Sequence, residues 1–273
     1  MDKRLFQLVL AILVVQSLLY AVLSFMNFEA TKEWSIITST WSTLVALGAT
    51  VAFLVLGYLY DWRSEQGRNW VVFGVGMLLW AGGELVWLMY VIVEDSAPYP
   101  SFADVSWILG YPFLAVGLFL LERQLGLDIP RVWNIVHGAV VVVVSVIILL
   151  VLGPPLIEGV ELVEATFSLA YPVGDMVLLY FASRIFLKFK DAEVKWPWFL
   201  IAAAFVMNIF ADILFTFQSS LFGTFDLGPF SLTIPEYGLL AYEFCDALFI
   251  VGYALAIAGA LTYYYLLSEA LSD

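Results

Sequence analysis

The chain has one cysteine, Cys245, and one histidine, His137. A single thiol excludes an internal disulfide framework and any multi-cysteine metal site, and Cys245 is read as a small buried hydrophobe. A single imidazole excludes two-histidine haem ligation and a three-histidine zinc site, which leaves His137 as an interfacial or core side chain. Positive charge is also scarce. The 11 Lys and Arg against 24 Asp and Glu give a net charge of −13, the wrong sign for nucleic acid or for a polybasic lipid anchor. The lysines after Lys3 (Lys32, Lys188, Lys190 and Lys195) all flank apolar stretches, so a retinal-type Schiff base inside a bundle is not expected. There is no GxSxG elbow, P-loop or paired DDxxD-like diphosphate site. No cofactor is expected, and the chain is not read as an enzyme.

What is present is apolar. The 273 residues are 63% hydrophobic and 17% aromatic, with a mean hydropathy of +0.96, well beyond a soluble domain, where roughly half the residues are apolar. A span needs about 20 such residues. Eight stretches qualify, at about 5–26, 36–60, 70–93, 102–121, 133–152, 163–189, 197–221 and 242–267. The expected fold is an all-α, polytopic membrane bundle of about eight transmembrane helices, one integral membrane domain over residues 1–273. Short connections predict that consecutive helices pack as hairpins. The first stretch follows Lys3 and Arg4 but has no AxA-like cleavage site, so it is read as a retained span. Apart from Lys32, every basic residue falls on one side of this threading. The positive-inside rule then predicts a multi-pass cell-membrane protein with cytoplasmic N- and C-termini.

The stretch from Phe102 to Gly117 is written more than once. Its pattern of Asp104, Trp107, Gly110 and Tyr111 returns as Asp246, Phe249, Gly252 and Tyr253, with Gly259 matching Gly117, and more weakly as Glu164, Phe167, Ala170 and Tyr171. The helix before each full copy carries its own acid, Glu84 in one and Asp212 in the other, which extends the internal repeat to helical hairpins. Shared chemistry in repeated membrane folds usually lies where the units meet. At Ala97 to Asp104 the prolines Pro98 and Pro100 enforce extended backbone, and Ser101 with Asp104 has capping-box spacing. Thr233 and Glu236 repeat that spacing around Pro235 and predict a short interfacial helix. Residues 222–235 read as a re-entrant or surface-lying loop.

With about 1.5 Å of rise per residue, Glu84, Asp175 and Asp212 fall near mid-membrane. Asp104, Glu164, Glu243 and Asp246 form a shallower tier. A carboxylate at a span's centre costs about 2.5 to 3.5 kcal/mol, and no basic residue is expected in the outer half of any span. Protonation, hydrogen bonds or a bound cation must therefore compensate. The bland readings are a helix cap for Asp104 and hydrogen-bonded structural acids elsewhere. Gly174, Asp175 and Asp212 lack the second glycine and the PAL motif that an intramembrane aspartyl protease requires. The functional reading is an externally facing pocket with Glu84, Asp175, Asp212 and Asn208 inside and Asp104 and Asp246 at its mouth. Trp87, Trp107, Tyr111 and Tyr171 would wall it. Oxygen ligands suit a hard metal cation, acids with aromatic faces suit an organic amine, and desolvated acids suit a proton. A cation- or proton-coupled transporter and a non-catalytic assembly subunit are the alternatives. The first would need a path to the cytoplasm, and the inner halves of the helices carry few polar residues.

The run Pro100 to Asp104, then Gly110, Tyr111, Pro112 and Gly117, then Tyr171, Pro172, Gly174 and Asp175, then Ala211 and Asp212, and finally Asp246, Gly252 and Tyr253, carries a resemblance. From about Trp80 onward the chain resembles the multi-helix membrane sensor region found before histidine kinase, PAS and diguanylate cyclase modules in bacteria and archaea. That resemblance implies a membrane-embedded input module and supplies no ligand residues. The chain ends at Asp273 without such a module, so output is expected to pass to a separate cytoplasmic signalling partner, with membrane lipids as the surroundings.

Overall fold

The structure is a computed structural model that describes residues 3–26, 31–94, 97–124, 126, 130–157, 161–189, 195–217, 223–226, 231–234 and 238–270. The apolar stretches fold into eight helices: α1 (Lys3–Met26), α2 (Lys32–Leu59), α3 (Glu65–Glu94), α4 (Phe102–Gln124), α5 (Arg131–Ile157), α6 (Leu162–Phe189), α7 (Lys195–Phe217) and α8 (Gly238–Ala270). Among the described residues, seven helices are long and apolar enough to cross a membrane. Between α7 and α8 lies an antiparallel hairpin of β1 (Gly223–Asp226) and β2 (Ser231–Ile234). That hairpin takes the place of the expected loop, and Thr233 pairs with Thr224 instead of starting a helix. Phe222, Pro235 and Glu236 lie outside the described residues, as does the side chain of Glu243.

Hairpin packing holds for α2–α3, α3–α4, α5–α6, α6–α7 and α7–α8, but not along the whole chain. Helix α4 turns from α5 to pack on α6, and α8 returns to α2. Helices α2, α3, α4, α6, α7 and α8 thus close a six-membered ring, with α1 leaning on α8 and α5 on α6 from outside. The residues explain this division. Leu8, Ile12, Val15 and Leu18 of α1, like Val132, Ile135, Val136 and Val140 of α5, remain exposed, as expected of side chains turned to lipid.

Small residues let the ring close tightly. A Cβ on Gly117 would lie 2.8–2.9 Å from the Phe73 backbone and Cβ, and one on Gly110 would lie 2.4 Å from the Trp80 ring. In α8, Gly252 and Gly259 have the same spacing and make equally close approaches to Asn208 and Ile201 of α7. One half of the ring interior is filled by aromatics. Trp70 stacks on Trp198 at 5.7 Å, Tyr263 meets both at 5.2 and 5.9 Å, and Phe53, Phe73 and Phe205 extend the layer.

Ion pairs and charge mark the two ends. Phe6 stacks on Tyr265 at 4.5 Å, and Tyr60 lies 6.1 Å from Tyr263, so both ends of the described chain sit beside the aromatic layer. Arg184 meets Glu122 at 2.7 Å at that same end of α4 and α6. The other end carries Asp104 and Glu164 in the first turns of those helices. The two are called the basic and acidic ends.

Overpacking a closed interface costs about 1–3 kcal/mol, whereas an exposed substitution usually stays within about 0.5 kcal/mol. Gly117→Ala should therefore lower stability by about 1–3 kcal/mol. Gly138→Ala, with nothing within 4 Å of its added methyl group, should leave it nearly unchanged. Thermal unfolding of both variants in detergent checks this.

Candidate functional site

Each of the three repeat tyrosines donates to a carboxylate on another helix. Tyr253 of α8 reaches Glu84 Oε1 of α3 at 2.9 Å. Tyr171 of α6 reaches Asp104 Oδ1 of α4 at 2.7 Å. Tyr111 of α4 reaches Asp175 Oδ1 of α6 at 2.8 Å and Asp212 Oδ2 of α7 at 3.2 Å. These hydroxyls supply the donors that the scarcity of lysine and arginine withholds, since a buried carboxylate needs a hydrogen-bond partner. The last contact also counts protons. One phenol has one proton to donate, so Asp175 and Asp212 share a single donor, by a bifurcated or alternating hydrogen bond.

Local structure positions these groups. Asp104, 1% exposed, forms the capping box, with its Oδ2 accepting from the Ser101 backbone N–H at 2.6 Å and the Ser101 hydroxyl at 2.7 Å. Its other oxygen is the one Tyr171 holds, so Asp104 is both a cap and an interhelical link. Tyr99, in the segment before α4, exchanges a hydrogen bond with Ser168 of α6 at 2.8 Å. Desolvation, the largest cause, pushes its phenol up to about 12, so Tyr99 stays neutral at ordinary pH. The lone Cys245 is buried and donates to Ala211 O at 3.1 Å, a packing role.

All six ring helices line a cavity of about 60 Å³ on the ring axis, above the aromatic layer. It contains eight of the ten residues singled out from sequence: Glu84, Asp212, Asp246, Trp87, Trp107, Tyr111, Tyr171 and Asn208. Asp175 and Asp104 are not in its wall; they stand behind Tyr111 and Tyr171, which hold them by the hydrogen bonds above. Six further residues complete the wall, Ser39 and Ser42 of α2, Trp80 of α3, Phe215 of α7, and Phe249 and Tyr253 of α8. The serines had a signal in the sequence, the polar run Thr38, Ser39, Thr40, Ser42 and Thr43 within an otherwise apolar span. Trp80, with its indole N–H on Trp107 O at 3.0 Å and its ring on Tyr111 and Tyr253, forms the floor.

The wall is acidic, with no lysine or arginine in it. Asn208, 4% exposed, keeps its Oδ1 buried with no hydrogen-bond partner among the described residues. Among those residues, no three His, Cys, Asp or Glu side chains converge closely enough to hold a metal ion. The volume admits several waters or a ligand of a few heavy atoms, well below the roughly 150 Å³ of an apolar cavity that takes benzene.

Removing one partner of a buried hydrogen bond costs about 1–3 kcal/mol. Tyr253→Phe should lose that much in thermal unfolding, and much less when Glu84→Leu, which removes the acceptor, is already present, a coupling read by a double-mutant cycle. Tyr171→Phe should cost less, because Asp104 keeps both Ser101 donors. No family model, curated protein or solved structure matches this chain, so what the cavity does is read from its own chemistry.

Proposed function

We propose that this chain is a multi-pass membrane protein of sensor type that binds a small cation in the ring cavity from the cell exterior. The observation that carries the reading is one small cavity, at the meeting of six helices, lined by Glu84, Asp212 and Asp246 and by no cationic side chain. A positive ligand would offset those acids, accept the Asn208 carbonyl as a ligand, and lie against the aromatic faces of Trp87, Trp107, Phe215 and Phe249.

The ligand class follows from size and from the spread of the acids. The carboxylates do not converge as a metal cage would require, and the cavity is too small for a large organic amine. Ammonium and methylammonium combine a point charge with N–H donors for oxygens arriving from several directions. Protons would compete with the ligand at Asp175 and Asp212 around Tyr111, because neutralising charge by a cation and by a proton are alternatives. Binding would add contacts among the walls that all six ring helices contribute to the cavity, which is the differential contact a two-state sensor needs.

A transporter would use the same acids but would require a path onward. The stacked Trp70, Trp198 and Tyr263 fill the ring beneath the cavity, which favours binding over passage. The positive-inside rule puts the acidic end outside and both termini in the cytoplasm, where output would pass to a separate signalling partner.

Methylammonium chloride at a hundredfold excess over its dissociation constant should stabilise the purified protein by about 2.7 kcal/mol. Sodium and magnesium chlorides at matched ionic strength should not. The shift should disappear in Glu84→Gln and Asp212→Asn. Equal shifts with every salt, or an undiminished methylammonium shift in both variants, would sink the proposal.

A further inference from the structure

A second charged cluster lies at the basic end, on the outer side of the ring. Glu122 near the end of α4 faces two cations of α6. Arg184 Nε and Nη2 both approach Glu122 Oε1 at 2.7 Å, and Lys188 Nζ lies 3.4 Å from that oxygen and donates to the Glu122 carbonyl at 3.2 Å. Arg184 Nη1 is fixed by Asn134 Oδ1 of α5 at 2.8 Å and the Tyr180 hydroxyl at 3.2 Å. One carboxylate thus serves two cations, and Arg123 borders the same hollow. Counting donors, a guanidinium has five N–H bonds and an ammonium three. Among the described contacts, one Nη2–H of Arg184 and one N–H of Lys188 remain, together with the Arg123 guanidinium.

The hollow at these groups measures about 400 Å³. It does not end at the charges. Tyr180 and Phe181 line both it and an adjoining groove of about 530 Å³ between α5 and α6, whose other walls include Val141, Val173, Met176 and Val177. From Val173 to Arg184 is about 16 Å along the helix. Two hollows that share Tyr180 and Phe181 thus place a cationic site beside a long apolar groove. A free phosphate would leave the apolar part unused, and an apolar molecule would leave the surplus charge unmatched.

We propose that this groove holds an anionic phospholipid, with the headgroup phosphate at Arg123, Arg184 and Lys188 and an acyl chain against Val173 and Val177. Basic pockets between membrane helices suit such headgroups by charge and hydrogen bonding. The inference does not rest on the ring cavity. The lipid would bridge α4, α5 and α6, and so join the peripheral α5 to the ring.

The test uses the whole protein in detergent, with phosphatidylglycerol, phosphatidylcholine or inorganic phosphate added, and reads bound lipid by native mass spectrometry beside the thermal midpoint. Phosphatidylglycerol should be retained at least tenfold over phosphatidylcholine, and inorganic phosphate should not reproduce its stabilisation. Arg123→Gln with Lys188→Gln should abolish the preference. Glu122→Gln, which removes the competing carboxylate, should raise retention, an opposite sign that a merely misfolded variant would not give. Val177→Trp should weaken lipid retention by filling the apolar groove. Equal retention of the two lipids, full replacement by inorganic phosphate, or retention unchanged in all the variants would overturn the proposal.

Discussion

Carboxyl groups enclosed by apolar helices need hydrogen-bond donors, and in this chain the donors are phenols. Tyr111, Tyr171 and Tyr253 each cross from one helix to an acid on another, so compensation of the acids and closure of the ring are one set of contacts. A lysine or arginine in the same place would neutralise the acids permanently. A phenol satisfies an oxygen without cancelling its charge, which is what the proposed cation site requires of the cavity wall. The glycines serve the same end, since the helices must come close for a tyrosine to span the gap.

The ring divides along its axis. Toward the basic end, Trp70, Trp198, Tyr263 and their neighbours pack into a stacked layer in the buried core. Toward the acidic end the interior holds the cavity, polar wall groups and the Asn208 carbonyl, which has no hydrogen-bond partner among the described residues. A site whose walls come from every ring helix responds to small relative shifts of those helices, whereas the aromatic layer resists them. That contrast is the mechanical basis of the proposed sensing. At the basic end, the single carboxylate Glu122 shared by Arg184 and Lys188 gives the opposite electrostatic character.

The sequence made the helices legible because each is a long apolar run bounded by charge or proline. It also marked the tyrosines, through their recurrence four residues after an aromatic. It did not reveal their partners. Ring closure depends on α4 bypassing α5 to reach α6 and on α8 meeting α2, and no local pattern encodes either choice. Helices that are apolar all round do not announce which face turns inward. For that reason α1 and α5 read like the others, and Ser39 and Ser42 were passed over although their polar run was visible. Asp104 read both as a cap, which it is, and as a residue of the pocket mouth, whose wall it does not join; its second bond to Tyr171 needed the fold. Asp175 was read as part of the inner site, but Tyr111 of α4 stands between it and the cavity.

The most direct test of the account is accessibility of the ring interior from each side of the membrane. In a Cys245→Ala background, Ser39→Cys and Phe205→Cys would be treated in oriented vesicles with a membrane-impermeant thiol reagent. The account predicts that Ser39→Cys is labelled from the outer face and protected by methylammonium, while Phe205→Cys, within the aromatic layer, is labelled from neither face. Labelling of Phe205→Cys from the inner face, or of Ser39→Cys from the inner face alone, would contradict an outward-opening cavity closed from below.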